Sequence, residues 1–320
     1  MESPLLLRSH SSNVYAVDAA RDGTVASCGD DGTIVWSNDG RPTRRIASKG
    51  DDAAPTTNVA FVDPNRLMTS TETTLRLHDA RSDVIIREYV VNDDDVNEIA
   101  IDPSSQYAAA CDDSGQIRVV DLRQNRLYRT LRRDAHANIC TTAKFCRSAA
   151  SLASGGLDAR IVAWDVAKAK CVAKISMLDG GGGGGGQFVN PPLVHSIAMH
   201  RGGATGVAAV AMGDFSVGWV RVDRNRMKDV GRLGECHAAS VSQVAFSRND
   251  GNEDVLVSGG NDGRIVKWSV GVEKGGRLSE TAPPTVIEHG SKINWLATSF
   301  VEPLVYVADQ TSNVSIYRLS

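Results

Sequence analysis

The strongest constraint on how this chain folds is one phrase, SGGNDGRIVKWS at Ser258–Ser269, and the fact that the chain repeats it. Small residues close one strand, Asn261-Asp262-Gly263 turns the chain, and a second strand runs to Trp268. Asp-Gly between apolar runs signals a hairpin, because Gly accepts positive φ and Asp tolerates it. Related phrases stand at Ser27–Ser37 (SCGDDGTIVWS), Ala110–Asp121 (ACDDSGQIRVVD) and Ser154–Asp165 (SGGLDARIVAWD). A hairpin recurring along a chain implies stacked copies of one unit, since each copy leaves an apolar face that only a neighbour covers.

With Trp268 as the mark, the equivalent positions are Trp36, His78, Val120, Trp164, Val220, Trp268 and Tyr317, separated by 42, 42, 44, 56, 48 and 49 residues. Four-stranded propeller blades recur every ~40–45 residues. Seven marks therefore predict seven blades, the longer intervals holding insertions. Within a unit the strands alternate as half-buried antiparallel strands do, as in VSQVAFS, DVLVSGG and RIVKWSV of blade six. Helical periodicity is absent, so the chain reads as all-β.

The last unit stops after its third strand, and an orphan strand at Pro4–Arg8 precedes the first full unit. Placing the orphan as the outer strand of the last blade closes the ring and protects both sheet edges. The expected architecture is one seven-bladed propeller domain over residues 1–320, with flexible insertions at about 179–190 and 272–284. The first insertion contains the run Gly180–Gly186. It leads into QFVNPPL rather than a helix, so it reads as a linker and not as a phosphate loop.

Polar residues recur with the blades. His10, His136, His237 and His289 each precede a first strand. A buried Trp offers only an N–H donor and needs an acceptor. Blade six supplies His237, Ser258, Asp262 and Trp268, and blade four supplies His136, Ser154, Asp158 and Trp164. Each set can form one satisfied hydrogen-bonded bracket that stiffens its blade. In blade one the Trp lies one residue closer to the turn, so Asp30 or Asp31 can fill that role.

This His, Ser, Asp and Trp spacing, with a literal Trp164-Asp165, resembles the WD-repeat family of seven-bladed propellers. Blades two, three, five and seven depart from it by lacking the Trp at the mark. The segments VNDDDVNEIAID, CDDSGQIRVVDL, NPPLVHSI, VSQVAF, SGGNDG, IEHGSKINWL and VADQTSNVSIY resemble one animal branch of that family. That branch is grouped with candidate substrate receptors of cullin-4 ubiquitin ligases, and the resemblance implies such a role here.

Several function classes fit poorly. A net charge of −3 argues against a specific nucleic-acid partner, which needs a dense positive surface. Arg123, Arg126, Arg129, Arg132 and Arg133 make a basic stripe, read as charge that protects an outer strand from pairing. No apolar run reaches membrane-spanning length. The six cysteines are dilute and lack CxxC spacing, and Cys28 and Cys111 read as core, which favours an intracellular setting, cytoplasmic or nuclear. There is no GxSxG, HExxH or Walker motif and no metal-spaced His/Cys cluster. His195 and His200 lie five apart on a strand and so face opposite ways. A non-enzyme without cofactor or metal is expected, working as a protein-binding scaffold.

Two sites could carry binding. The first is a pair of DxR motifs after successive third strands, Asp79-Ala80-Arg81 and Asp121-Leu122-Arg123. In the resembling receptors a WDxR motif at this place contacts the cullin-4 adaptor, the large subunit of the damaged-DNA-binding protein. Here Asp and Arg remain without the Trp, and the Asp is expected to orient its guanidinium for an interface. The second is the channel rim where first strands begin, the narrow face, with Asn97, Glu98, His195, Gln243, Asn294 and Trp295 at corresponding positions. The nearby run Asp93-Asp94-Asp95 would favour a basic segment such as a histone-like tail. The alternative is a scaffold of another complex with the DxR pair inert. The expected form is a monomeric propeller within a larger assembly.

Overall fold

In the computed structural model the described residues are 4–8, 10–36, 40–46, 54–82, 84–178, 190–201, 206–223, 226–251, 254–273 and 276–319. Their strands form seven four-stranded antiparallel sheets. Six sheets take consecutive strands in simple order, opening with Val14–Ala19, Asn58–Asp63, Val96–Ile101, Cys140–Phe145, Val194–Met199 and Val241–Phe246. The seventh takes Ile293–Thr298, Leu304–Asp309 and Asn313–Arg318, and is completed by Leu5–Arg8 from the start of the chain. Leu5 pairs with Ile316 and Arg8 with Asn313, so the orphan strand does close the last blade. The first strands neighbour one another in order, and Ile293–Thr298 returns to Val14–Ala19, so the blades form a ring around a central channel. The fold is a seven-bladed β-propeller.

No blade has a core of its own. Seven apolar clusters each lie between two neighbouring blades. Trp164 and Phe145 of blade four pack on Ile117 and Val119 of blade three. Trp36 of blade one packs on Tyr306 and Val314 of blade seven, beside Leu7 of the closing strand. Burying a side chain such as Leu or Ile contributes about 1.5–3 kcal/mol. That gain exists only while both blades are in place, so the ring is cooperative. Cys28 and Cys111 are buried in these clusters, and all six cysteines are free thiols.

Two local features set the site geometry. The blade-one hairpin is short, with Gly29 paired to Gly32 across Asp30-Asp31 and Gly32 at φ 100°. That removes one residue relative to blade six and brings Trp36 closer to its turn. In addition, six of the first strands bulge near their start, at Tyr15, Asn97, Thr141, His195, Ser242 and Asn294. A bulge leaves one residue outside the ladder and re-aims its side chain. At the same place in every blade but the second, it turns a polar group toward the channel mouth.

The insertion at 272–284 is corrected over its described part. Arg264–Val272 pairs with the long strand Leu278–Glu288, Val270 facing Glu280 and Val272 facing Leu278. Leu278 is buried beside Trp268 and Val270, which anchors the segment as sheet. Its two prolines hid the strand pattern and are tolerated because the strand is the outer one. The run Gly180–Gly186 lies outside the described residues.

Candidate functional site

The brackets form hydrogen-bonded chains. In blade four, Trp164 Nε1 donates to Ser154 Oγ at 2.9 Å, Ser154 meets His136 Nε2 at 2.9 Å, and His136 Nδ1 meets Asp158 at 2.9 Å. In blade six the steps are 2.8, 2.8 and 3.2 Å through Trp268, Ser258, His237 and Asp262. In blade one, Trp36, Ser27, His10 and Asp31 do the same, and Asp30 instead accepts from Ser12 and Tyr15. Burial holds His10 and His237 below the ordinary imidazole range and outweighs the facing carboxylates. Burial pushes Asp31 up, but hydrogen bonds from His10 and the Ser11 N–H prevail and hold it at about 2. In blades one and six a neutral His therefore donates from Nδ1 to a carboxylate and accepts at Nε2 from the Ser hydroxyl, which frees the Ser oxygen to accept from Trp. In these three brackets each buried Trp, Ser and His nitrogen or hydroxyl has a partner. These Ser, His and Asp groups are tied up in structure.

Where the Trp is absent, other pairs substitute. His78 meets Thr69 at 2.9 Å in blade two, Asn92 donates to Asp112 at 2.9 Å in blade three, and His289 links Asp309 (2.7 Å) and Tyr317 (2.8 Å) in blade seven.

At the narrow-face mouth the inner-strand side chains bond to the next blade. Asn58 donates to Val96 O (3.2 Å), Asn97 to Cys140 O (3.1 Å), Thr141 to Val194 O (2.6 Å), Ser242 to Ile293 O (2.7 Å) and Asn294 to Val14 O (2.9 Å). Inside this belt lies a cavity of about 680 Å³ lined by Asn97, His195, Asn294 and Trp295, as the sequence suggests. Its wall also carries Glu72, Asp95 and Asp113 against Lys292, so acid predominates. Glu72 and Asp113 sit in hairpin turns between second and third strands, which read as ordinary turn residues until ring closure brings them to one mouth. His195 is held below the ordinary imidazole range by burial and by Lys292. Asp93 is paired with Arg118.

The rim set is corrected at Glu98 and Gln243. Each follows the bulged residue and so turns away from the mouth. Glu98, 1% exposed, accepts from Thr142 Oγ1 (2.7 Å), the Ala143 N–H (2.9 Å) and Lys144 Nζ (2.6 Å) of the next blade. Gln243 accepts from Ser196 at 2.9 Å and lines the cavity at the opposite mouth. Trp295 lies at the same depth and its bulk reaches both cavities.

The two DxR motifs differ. Asp79 takes Arg81 through its backbone N–H (2.9 Å), Nε (3.1 Å) and Nη2 (3.0 Å), a two-point fork that fixes a guanidinium 69% exposed. The hydrogen bonds to Arg81 hold Asp79 below the usual carboxylate range. Asp121, by contrast, is buried and accepts from the Arg123 and Gln124 N–H groups at 2.9 Å, so it caps its own turn. The expectation that Asp121 orients the Arg123 guanidinium is therefore corrected. Both turns lie on the face opposite the narrow one, since Ala80 and Leu122 donate to Asn65 O and Gln106 O in the turns that follow first strands.

Residues 2–37, 84–121 and 228–269 match the family described as WD domain, G-beta repeat. The seven closed blades decide the fold. The chain is a seven-bladed propeller in which three segments match that repeat family. Its curated relatives include the WD repeat-containing protein 53 homolog of Dictyostelium discoideum, 27% identical over 329 residues that cover 92% of this chain and 88% of that protein. The similarity agrees with the branch suggested by segments such as VNDDDVNEIAID and IEHGSKINWL, which resemble WD repeat-containing protein 53. WD-repeat propellers serve in general as protein-interaction scaffolds that bind proteins or peptides.

Proposed function

We propose that this propeller is a non-enzymatic substrate receptor of a cullin-4 ubiquitin ligase, docked to the adaptor through blades two and three. The observation that carries the reading is the Asp79–Arg81 fork. An Arg fixed by its neighbour loses little side-chain entropy on binding and presents a planar set of donors, which suits an interface hot spot. Arg123 adds a second exposed cation on the same face. The Tyr89 hydroxyl in the outer strand of blade two donates to Asn125 at 3.0 Å, which ties that strand to the turn after Asp121 in blade three. The client would occupy the narrow-face mouth, where Glu72, Asp95 and Asp113 favour a Lys- or Arg-bearing segment and Trp295 offers an apolar floor. The same acidic mouth supports a second reading, a histone-tail or other basic-peptide reader independent of any ligase.

Adaptor capture by the wild type, compared with Arg81→Glu plus Arg123→Glu, tests the first reading. Capture should be lost in the double variant. Absence of capture by the wild type, or equal capture by both proteins, refutes it. A basic-peptide array, with binding lost on Trp295→Ala, supports the second reading when adaptor capture fails.

A further inference from the structure

The other mouth of the channel carries the opposite charge. Six places after the inner-strand bulge, blades one, four, five and six carry Arg21, Arg147, Arg201 and Arg248, and blade seven carries Phe300. Closing the ring brings these equivalent positions around one cavity of about 700 Å³, lined from all seven blades. The guanidinium carbons of Arg21, Arg201 and Arg248 stand 5.1, 4.9 and 5.1 Å from the Phe300 ring centre.

Three of the arginines are held in place by backbone. Arg147 donates to Arg201 O (3.4 Å), Arg201 to Arg248 O (3.1 Å) and Arg248 to Ala19 O (3.2 Å). A guanidinium carries five donors, so that of Arg147 is not exhausted by one such bond. Two of the three acids in the wall are committed outside the arginine set. Asp63 pairs with Arg66, and Asp102 accepts from the N–H groups of Ser104, Gln106 and Tyr107. Asp18 takes Arg248 and the Phe61 N–H, while Lys144 is spent on Glu98. Counted over the described wall, Arg21, Lys144, Arg147, Arg201 and Arg248 stand against Asp18, Asp63 and Asp102, so cations outnumber acids. Like charges crowded on one ring repel, and an anion seated among them relieves that repulsion.

The shape narrows the choice of anion. Guanidiniums crowd Phe300, so the floor presents charge more than an apolar anchor. The wall is drawn from every blade, which suits a compact ligand entering along the channel axis better than an extended chain lying in a groove. Planar guanidiniums approaching one centre from several sides match phosphate oxygens, each fork gripping two. We propose that this mouth is a binding site for a compact, multiply phosphorylated small molecule.

Calorimetric titration of the full chain at near-physiological salt, with inositol hexakisphosphate, inorganic tripolyphosphate and a doubly phosphorylated peptide, tests the site. Saturable one-to-one binding of a small polyphosphate is expected, weakened at least about tenfold by Arg147→Ala plus Arg201→Ala, the loss of two charged contacts. The two small probes separate an organic ring scaffold from linear phosphate. A charge-matched control, Arg126→Ala plus Arg132→Ala at the start of the outer strand of blade three and just past its end, should bind as the wild type does. Arg21→Ala, which removes an exposed side chain, should weaken binding too and guards against misfolding of the double variant. No saturable binding, equal loss in the control, or tighter binding of the phosphopeptide overturns the proposal.

Discussion

Replacing Ser258 by Ala in blade six should be disproportionately costly for the loss of one oxygen. Ser258 Oγ is buried and lies 2.8 Å from both Trp268 Nε1 and His237 Nε2. The change strands an indole N–H and an imidazole nitrogen, each at ~1–3 kcal/mol for a buried unpaired group, so the loss should be about 2–6 kcal/mol. With a melting shift of roughly 2–4 °C per kcal/mol in domains somewhat smaller than this one, the midpoint should fall by at least about 4 °C. Thermal melts and denaturant titrations of Ser258→Ala, Trp268→Phe and the double variant read this directly. In the Trp268→Phe background only His237 is stranded, so Ser258→Ala should cost ~1 kcal/mol less or better, a coupling within the range seen for contacting residues. The bracket reasoning fails if Ser258→Ala stays within about 0.5 kcal/mol of wild type, the usual range for an inert change. It fails equally if the cost is the same with and without the indole N–H.

Three further outcomes follow from the same geometry. Lys144→Ala leaves the buried Glu98 carboxylate without its cation and should cost about 3 kcal/mol, of which Glu98→Gln in the same chain restores at least ~1 kcal/mol, measured by denaturant midpoints. At Gly29 an added Cβ would stand 2.0 Å from the Asn13 carbonyl oxygen. Gly29→Ala should therefore destabilise blade one by ~2–3 kcal/mol, seen as faster amide exchange there before global unfolding. Stability should also fall with pH in two windows. His10 and His237 stay neutral in the fold below the ordinary 6.5, so the unfolded chain takes protons first and stability declines as pH drops below that value. Asp31, held at about 2 against an ordinary 3.8, contributes stability present above 3.8 and lost as pH falls toward 2. His136, raised to about 9, contributes in the opposite sense, so the comparison is with His237→Gln: equal midpoint changes between about pH 7.5 and about pH 5 in the two proteins would contradict the neutral assignment of His237.

Much of the fold was legible because it depends on local chemistry that repeats. The Asp-Gly turns, the alternating strands and the recurrent His, Ser, Asp and Trp all act within one blade, so reading the chain in order recovers them. The orphan strand was legible because an incomplete blade at one end demands a partner from the other. The strand within 272–284 was not, because its prolines and charges match a loop and only the burial of Leu278 against Trp268 makes it sheet. Glu98 beside Asn97 shows the limit most clearly. The two are adjacent in sequence, yet one bulge sends Asn97 to the mouth and Glu98 into the seam between blades.

By itself, then, the sequence determined the repeat, the number of blades and the brackets that stiffen them, since each rests on contacts within roughly one repeat of about 40–45 residues. What the channel mouths can bind was decided by the tertiary structure. Glu72, Asp95 and Asp113 form one acidic mouth and Arg21, Arg147, Arg201 and Arg248 another of opposite sign, although no two of these arginines are neighbours in the chain. Charge acts through space, and only ring closure sets the distances at which these groups meet.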